Sequence, residues 1–209
     1  MAIDILPVQA LAESPISPTS TLGPYRRVDY GRLPDEPRCE LIYGRFYLSP
    51  SPRPLHQIVA QLLWRRLDDI AVRIGGIAFM APLDTILADH TVVQPDLLYI
   101  SPQRISIVGK GIEGAPDLVV EVLSPGTARR DRSEKLRAYA ELGVREYWMA
   151  DWAEHQIEFL VNRDGQFQVA LPLDGIYRSA VLPEIELDLA DFWQAVESRI
   201  PPTARPDQS

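Results

Sequence analysis

Two acidic residues lie in apolar runs of the chain, where an unpaired carboxylate would be costly. Asp96 stands in the run QPDLLYI (94–100), and Glu121 stands in the run PDLVVEVL (116–123). Removing a charge from water is expensive unless a cation or hydrogen bonds offset the loss of hydration. Carboxylate oxygens are also the ligands that hard divalent cations prefer. The two acids therefore predict a divalent-cation site on or beside a sheet.

A lysine near such a pair would complete a site for phosphodiester hydrolysis. The reaction needs a water molecule in line with the leaving oxygen and positive charge to neutralise the phosphate. Lys135 lies on a predicted helix after the strand of Glu121, beside an apolar stripe that includes Leu136 and Tyr139. Its ammonium group could reach back over the strand end. Most helical lysines face solvent, so the residues alone leave that alternative open.

Structural alternatives also exist for the acids and for a basic run nearby. After Pro95, Asp96 could form a turn, whereas a buried Glu121 needs a partner in any case. The run RRDR (129–132) together with Arg137 could hold phosphates beside the site. The sequence is equally consistent with a solvent-facing turn in which nearby acidic residues offset the basic charges of that run.

Composition predicts a soluble, folded protein rather than a general polyanion binder. The chain has 209 residues, of which 46% are hydrophobic and 24% charged, and these fractions are typical of one globular domain with tails. Its net charge of -8 provides no general basic coat for nucleic acid. A local basic strip and a bound cation can still act at one site.

Cysteine usage and hydropathy predict a cytoplasmic protein without a membrane partner. Cys39 is the single cysteine, so no internal disulfide can form. The three histidines lack the spacing of a zinc motif. No basic leader and no run of about 20 apolar residues is present.

The element pattern predicts one domain over 25–198, with a flexible arm at 1–24 and a flexible tail at 199–209. A helix over 55–74 is indicated by apolar residues at spacings of three and four and by Gly75 at its end. Strands are predicted at 77–87, 92–100 and 117–123. A second helix from Asp131, capped by that residue and closed by Gly143, precedes a strand at 145–151.

Hairpins are predicted at both ends of this series, one around Gly44 and one around the turn NRDG (162–165), with a short helix near 191–198. The result is an α/β (α+β) domain with a mixed sheet and a core of order αβββαβ. Aromatic residues in its second half are predicted to pack in the core rather than to stack bases. These residues are Tyr139, Tyr147, Trp148 and Trp152.

The sequence resembles the Uma-two type restriction endonuclease family of the PD-(D/E)xK nuclease superfamily. The resemblance rests on motifs in the family's order, namely CELIYG (39–44), SPR (51–53), APLD (81–84), VQPDL (93–97), GAPDLVVEVLSP (114–125), Lys135, Tyr139, GVREYW (143–148) and LP (182–183). It implies a restriction-endonuclease-like fold, a Mg²⁺ site on Asp96 and Glu121 that Mn²⁺ could also fill, and a catalytic lysine.

One position departs from the superfamily pattern, and one further acid matches the family. Leu123 stands where the superfamily usually has lysine, so Lys135 would be a migrated substitute. Glu40 matches a family position and should point away from the face shared by Cys39 and Leu41, toward the metal or the water. His56 ranks behind Glu40 as a candidate.

The leading hypothesis is a magnesium-dependent endonuclease that cleaves DNA with Asp96, Glu121, Lys135 and Glu40. By analogy with nucleases of this fold, a homodimer is expected. The alternative is a catalytically inactive binding or dimerisation module. A third class, a carboxylate-based hydrolase of small substrates, is favoured by nothing in the sequence.

Overall fold

The computed structural model describes residues 22–200, and the predicted arm up to residue 21 and tail from 201 lie outside the described residues. Its strands are β1 (Cys39–Ile42), β2 (Arg45–Leu48), β3 (Ile77–Met80), β4 (Thr85–Ala88), β5 (Thr91–Val93), β6 (Leu97–Ile100), β7 (Ile112–Glu113), β8 (Leu118–Val122), β9 (Glu146–Asp151), β10 (Gln156–Arg163), β11 (Gln166–Ala170), β12 (Ile176–Arg178) and β13 (Glu186–Asp188). Its helices are α1 (Arg27–Tyr30), α2 (Pro54–Ile74), α3 (Ala128–Arg130), α4 (Leu136–Glu141) and α5 (Leu189–Glu197), with a π-helical turn (Asp131–Lys135) between α3 and α4.

The central layer is a six-stranded mixed sheet of order β11-β10-β9-β8-β6-β3. Strands β8 and β9 run parallel, and the other neighbours run antiparallel. Along the chain, α2, β3, β6, β8, the second helix and β9 give the order αβββαβ, as predicted. The hairpins β1–β2 and β10–β11 are confirmed on either side of it. Between residues 22 and 200, no helix is long and apolar enough to cross a membrane.

Helices and a second sheet bury both faces of this layer. On one face, α2 packs its Leu63 and Leu67 against the cluster that contains Val120 of β8. On the other face, Val119 belongs to a cluster with Tyr139 of α4 and with residues of the second sheet. Strand β8 is therefore apolar in both directions, as its nearly continuous Val and Leu run predicted.

The strands predicted at 77–87 and 92–100 are wrong as single elements. Each is divided into two short strands, one in the six-stranded sheet and one in a five-stranded sheet of order β2-β1-β5-β4-β7. Both divisions contain a proline, Pro82 and Pro95, which has no N–H to continue a ladder. Asp96 lies where the chain returns to the central sheet, immediately before β6.

The second helix also begins earlier than predicted. The amides of Thr127 and Ala128 both donate to the carbonyl of Ser124, so the helical turn starts there. Asp131 therefore lies inside the helix and is 1% exposed, and the prediction that it caps the helix is wrong. The end is as predicted, because Gly143 follows α4 with a φ of 96°.

Candidate active site

The pairing of β6 with β8 brings Asp96 and Glu121 to the same side of the central sheet. Leu97 is paired with Val120, and one further step in this register sets Asp96 opposite Glu121. The backbone amide of Val122 donates to Oδ2 of Asp96 at 2.8 Å, which fixes the aspartate against β8. Both acids line one cleft of about 440 Å³.

Two donors from the second helix reach the same oxygen of Glu121. Nζ of Lys135 lies 2.9 Å from Oε1, and the hydroxyl of Tyr139 donates to it at 2.7 Å. The two donors are one helical turn apart and face the sheet together. Lys135 is 5% exposed, so it is not the solvated helical lysine that the residues alone left open.

Glu40 approaches this lysine from β1 in the second sheet. Its Oε1 lies 3.0 Å from Nζ of Lys135 and accepts the backbone N–H of Gln94 at 2.8 Å. Cys39 and Leu41 pack together in a separate apolar cluster, so Glu40 points away from them as predicted. The structure thus brings all four predicted site residues to one cleft.

Asp131 and His56 also belong to this cleft. Oδ1 of Asp131 lies 3.6 Å from Nζ of Lys135 and is buried without a hydrogen-bond partner. Nε2 of His56 lies 3.0 Å from Oδ2 of Asp96, while its Nδ1 is buried without a partner. The i,i+4 spacing of Asp131 and Lys135 was the sequence signal for the first contact, and no local signal linked His56 to Asp96.

The cleft carries an excess of negative charge. Burial raises the pKa of Glu121 well above its ordinary value, and the neighbouring acids Asp131, Asp96 and Glu40 add to the rise that Lys135 opposes. Burial likewise raises the pKa of Asp131. Burial alone would lower the pKa of Lys135, but Glu121, Glu40 and Asp131 outweigh it and raise that pKa well above its ordinary value. The lysine therefore remains an ammonium ion.

The basic run at 129–132 does not form a strip along this cleft. Arg130 is buried, donates to the carbonyl of Leu48 at 3.0 Å and stacks over Tyr47. Arg132 pairs with Glu158 and Asp151, and Arg137 pairs with Glu141. The run therefore matches neither of the two alternatives from the sequence, a phosphate-binding strip beside the site or a turn that only faces solvent.

The predicted placement of the aromatic residues is confirmed for Tyr139, Tyr147 and Trp148, which are buried in the core. Trp152 is only partly buried. It packs against the apolar cluster under α2 and also lines the cleft.

The oxygen donors of the cleft fit a hard divalent cation. The hydrogen bonds of Glu121 fall on Oε1 and those of Asp96 fall on Oδ2, so each carboxylate keeps one oxygen without a hydrogen bond to the described residues. Within residues 22–200, no three His, Cys, Asp or Glu side chains group closely enough to hold a metal. A Mg²⁺ ion commonly takes one or two carboxylates and completes its shell with water and substrate oxygens.

Comparison with known proteins defines the class of fold. The structure is similar to a crystal structure described as a putative nuclease belonging to DUF820 from Anabaena variabilis ATCC 29413. The TM-score is 0.69 at 20% sequence identity, and the match covers 83% of this chain and 99% of that chain. The protein therefore has a restriction-endonuclease-like fold.

A family model named Uma2, described as "Putative restriction endonuclease", matches residues 27–190. The chain belongs to the Uma2 family, as its motifs predicted. No curated protein matches the chain.

Proposed function

We propose that the protein is a divalent-metal-dependent endonuclease that hydrolyses phosphodiester bonds in DNA. Membership of the Uma2 family supports the nuclease class. The observation that carries the proposal is the meeting of Asp96 and Glu121 in one cleft, with the Lys135 ammonium 2.9 Å from Glu121. Such a constellation combines hard oxygen ligands with a fixed positive charge, and phosphoryl transfer needs both.

Asp96 and Glu121 are the proposed ligands of Mg²⁺, for which Mn²⁺ could substitute. When bound, the cation would supply charge to the scissile phosphate and a water molecule of lowered pKa. The protein holds both ligands in place beforehand. Val122 and His56 fix Oδ2 of Asp96, and Tyr139 fixes Oε1 of Glu121. Such support orients the remaining oxygens and lowers the cost of ordering them on binding.

Lys135 acts in this proposal as a charged hydrogen-bond donor. Its raised pKa keeps it protonated, so it cannot serve as the base that removes a proton from water. It can hold the attacking water or a phosphate oxygen and stabilise the negative charge that develops there. Glu40 contacts Lys135 at 3.0 Å and acts as a positioning residue for it.

The direct test is incubation of the purified protein with plasmid, single-stranded DNA and RNA, each with Mg²⁺, Mn²⁺ or EDTA. We expect cleavage of DNA only with metal, and losses of at least about a hundredfold in Asp96→Asn and Glu121→Gln. Glu141→Gln is the matched control, because Glu141 lies on α4 but does not line the cleft. Equal cleavage by all variants would identify a contaminating nuclease.

Calorimetric titration with Mn²⁺ or Mg²⁺ separates the enzyme from an inactive nuclease-fold module. The wild type should bind metal, and both acidic variants should lose that binding. A wild type that neither binds metal nor cleaves any substrate would support the inactive module instead.

The proposal includes a homodimer, by analogy with nucleases of this fold, which often act as pairs. It also includes a cytoplasmic location, where the buried Cys39 would remain a free thiol. Sedimentation equilibrium measures the first point directly, and a monomer at all concentrations would exclude it.

A further inference from the structure

Two arginines at the cleft have side chains without a polar partner among residues 22–200. Arg38 precedes β1 and Arg53 precedes α2, and both line the cleft that contains Glu121. Neither guanidinium forms a hydrogen bond or ion pair with another residue of the described range 22–200. In this acidic chain many other arginines are paired with carboxylates, as Arg27 is with Glu113. Unpaired guanidinium groups beside a proposed hydrolytic site are suited to bind phosphate oxygens.

Two of the carboxylates in this cleft are almost fully buried. Glu121 is 3% exposed and Glu40 is 2% exposed, and the cleft has a volume of about 440 Å³. A pocket of that size matches a ligand of a few ring systems, not a double helix whose major groove alone is about 12 Å wide. The size of the cleft therefore favours a strand that enters it without its complement.

The cleft wall also offers an aromatic surface. Trp152 follows β9 directly, is partly exposed and packs on the core cluster under α2. Bases of single strands stack on such rings, and this interaction tolerates any sequence. In a duplex, the faces of the bases are already stacked on one another and are not available.

The first turn of α2 adds to the attraction for phosphate. Arg53, His56 and Gln57 of this turn line the cleft, and no side chain caps the helix start. The helix is 21 residues long, and its free amides and positive dipole end favour a nearby anion. This contribution strengthens a site that the two arginines already define.

We infer that the substrate is unpaired DNA, a single strand or an unpaired segment, whose phosphates are held by Arg38 and Arg53 while a base stacks on Trp152. The inference rests on the proposed function, because it delivers a phosphodiester to the cleft of Asp96 and Glu121. It assigns the substrate form and three binding residues outside the catalytic group.

The experiment measures the anisotropy of a fluorescent DNA oligonucleotide, single-stranded or annealed as a blunt duplex, with the full chain in EDTA at several salt concentrations. We expect the single strand to bind at least about tenfold more tightly than the duplex, because only its bases are free to stack on an aromatic side chain. Arg38→Gln and Arg53→Gln should each weaken binding and reduce the slope of log Kd against log salt by about 0.7. Arg65→Gln is the matched control, because Arg65 is an exposed arginine on α2 outside the cleft.

Variants of Trp152 test the stacking contact. Trp152→Leu should weaken single-strand binding by about tenfold, and Trp152→Phe should restore most of it because it retains an aromatic face. Far-ultraviolet circular dichroism of each variant verifies the fold. A duplex that binds as tightly as the single strand overturns the inference, and so does an unchanged salt slope in both arginine variants. Tighter binding of an RNA strand than of DNA would overturn the choice of DNA.

Binding in EDTA keeps this inference distinct from the proposed function. If unpaired DNA binds as expected but no metal supports cleavage, the substrate assignment stands and the nuclease proposal fails. If metal-dependent cleavage of duplex DNA occurs without binding of single strands, the nuclease proposal stands and the substrate assignment fails.

Discussion

Nζ of Lys135 lies 2.9 Å from Oε1 of Glu121, although 14 positions separate the two residues in the chain. The lysine comes from the π-helical turn and reaches back over β8. Leu123, two positions after Glu121, is instead buried in the apolar cluster of the same face and leaves no room there for an ammonium group. The geometry thus gives a physical reason for a lysine carried by the helix rather than by the strand.

Neutralising Glu121 should leave the protein as stable as before while it removes activity. In Glu121→Gln the amide oxygen can still accept from Tyr139, and the cost of a buried charge among other carboxylates disappears. We expect no loss of unfolding free energy beyond about 0.5 kcal/mol, measured by chemical denaturation in EDTA. Substitution of a group that is needed for chemistry but costs stability removes activity without destabilising the fold.

Glu146→Gln is the contrasting control within the same sheet. The carboxylate of Glu146 accepts hydrogen bonds from Trp148, Tyr177, Ser179 and the amides of Ala180 and Val181. An amide group cannot accept all of them, so this variant should lose about 1–3 kcal/mol. Equal losses in both variants would contradict the distinction between a functional and a structural acid.

The raised pKa of Glu121 predicts a pH dependence of stability in the metal-free protein. The folded state holds the Glu121 proton more tightly than the unfolded state, whose pKa is near the ordinary value. Unfolding therefore releases a proton between the two pKa values, and the contribution of Glu121 to stability falls as pH rises through that interval. The difference in unfolding free energy, Glu121→Gln minus wild type, should grow from pH 5 to pH 8 in EDTA. A flat or declining difference would show that the folded-state pKa is not raised.

Removal of the Lys135 ammonium should destabilise the protein strongly. Lys135→Met leaves Glu40, Glu121 and Asp131 without their common cation, and breaking such a buried pair costs about 3–5 kcal/mol. The loss measured by denaturation at pH 8 should shrink at pH 5, because the acids then take up protons. Lys110, the other lysine of the chain, is exposed, so Lys110→Met should change stability little. A loss that is the same at both pH values would indicate a packing effect instead.

The sequence was sufficient for the parts of the site that follow local periodicity. The apolar run of β8 predicted a strand that carries Glu121 in the sheet, and the length of α2 followed from its apolar spacing and Gly75. Lys110 and Lys135 are the only lysines of the chain among many arginines, and the predictions made no use of that rarity. The ammonium group of lysine is a compact point charge, whereas the guanidinium group of arginine is planar and presents its donors in a fixed fork.

Other features depend on contacts between distant segments and had no local signal. The predictions joined β3 to β4 and β5 to β6 as single strands, because the sequence did not show that the chain changes sheets at Pro82 and Pro95. Asp131 has the spacing of a capping residue, and only the helix start at Ser124 makes it a buried member of the site. Long-range pairing decided both cases.

His56 should act as a positioning residue for Asp96. Its Nε2 lies 3.0 Å from Oδ2 of Asp96, so an N–H on Nε2 donates to the carboxylate and holds that oxygen in place. His56→Leu removes this donor and should lower metal affinity by about 10–100-fold, measured by calorimetry. His56→Gln places an amide donor near the same point and should recover much of the affinity. Because leucine and glutamine both fill the buried space, a merely structural role would make the two variants behave alike, and that result would contradict the assignment.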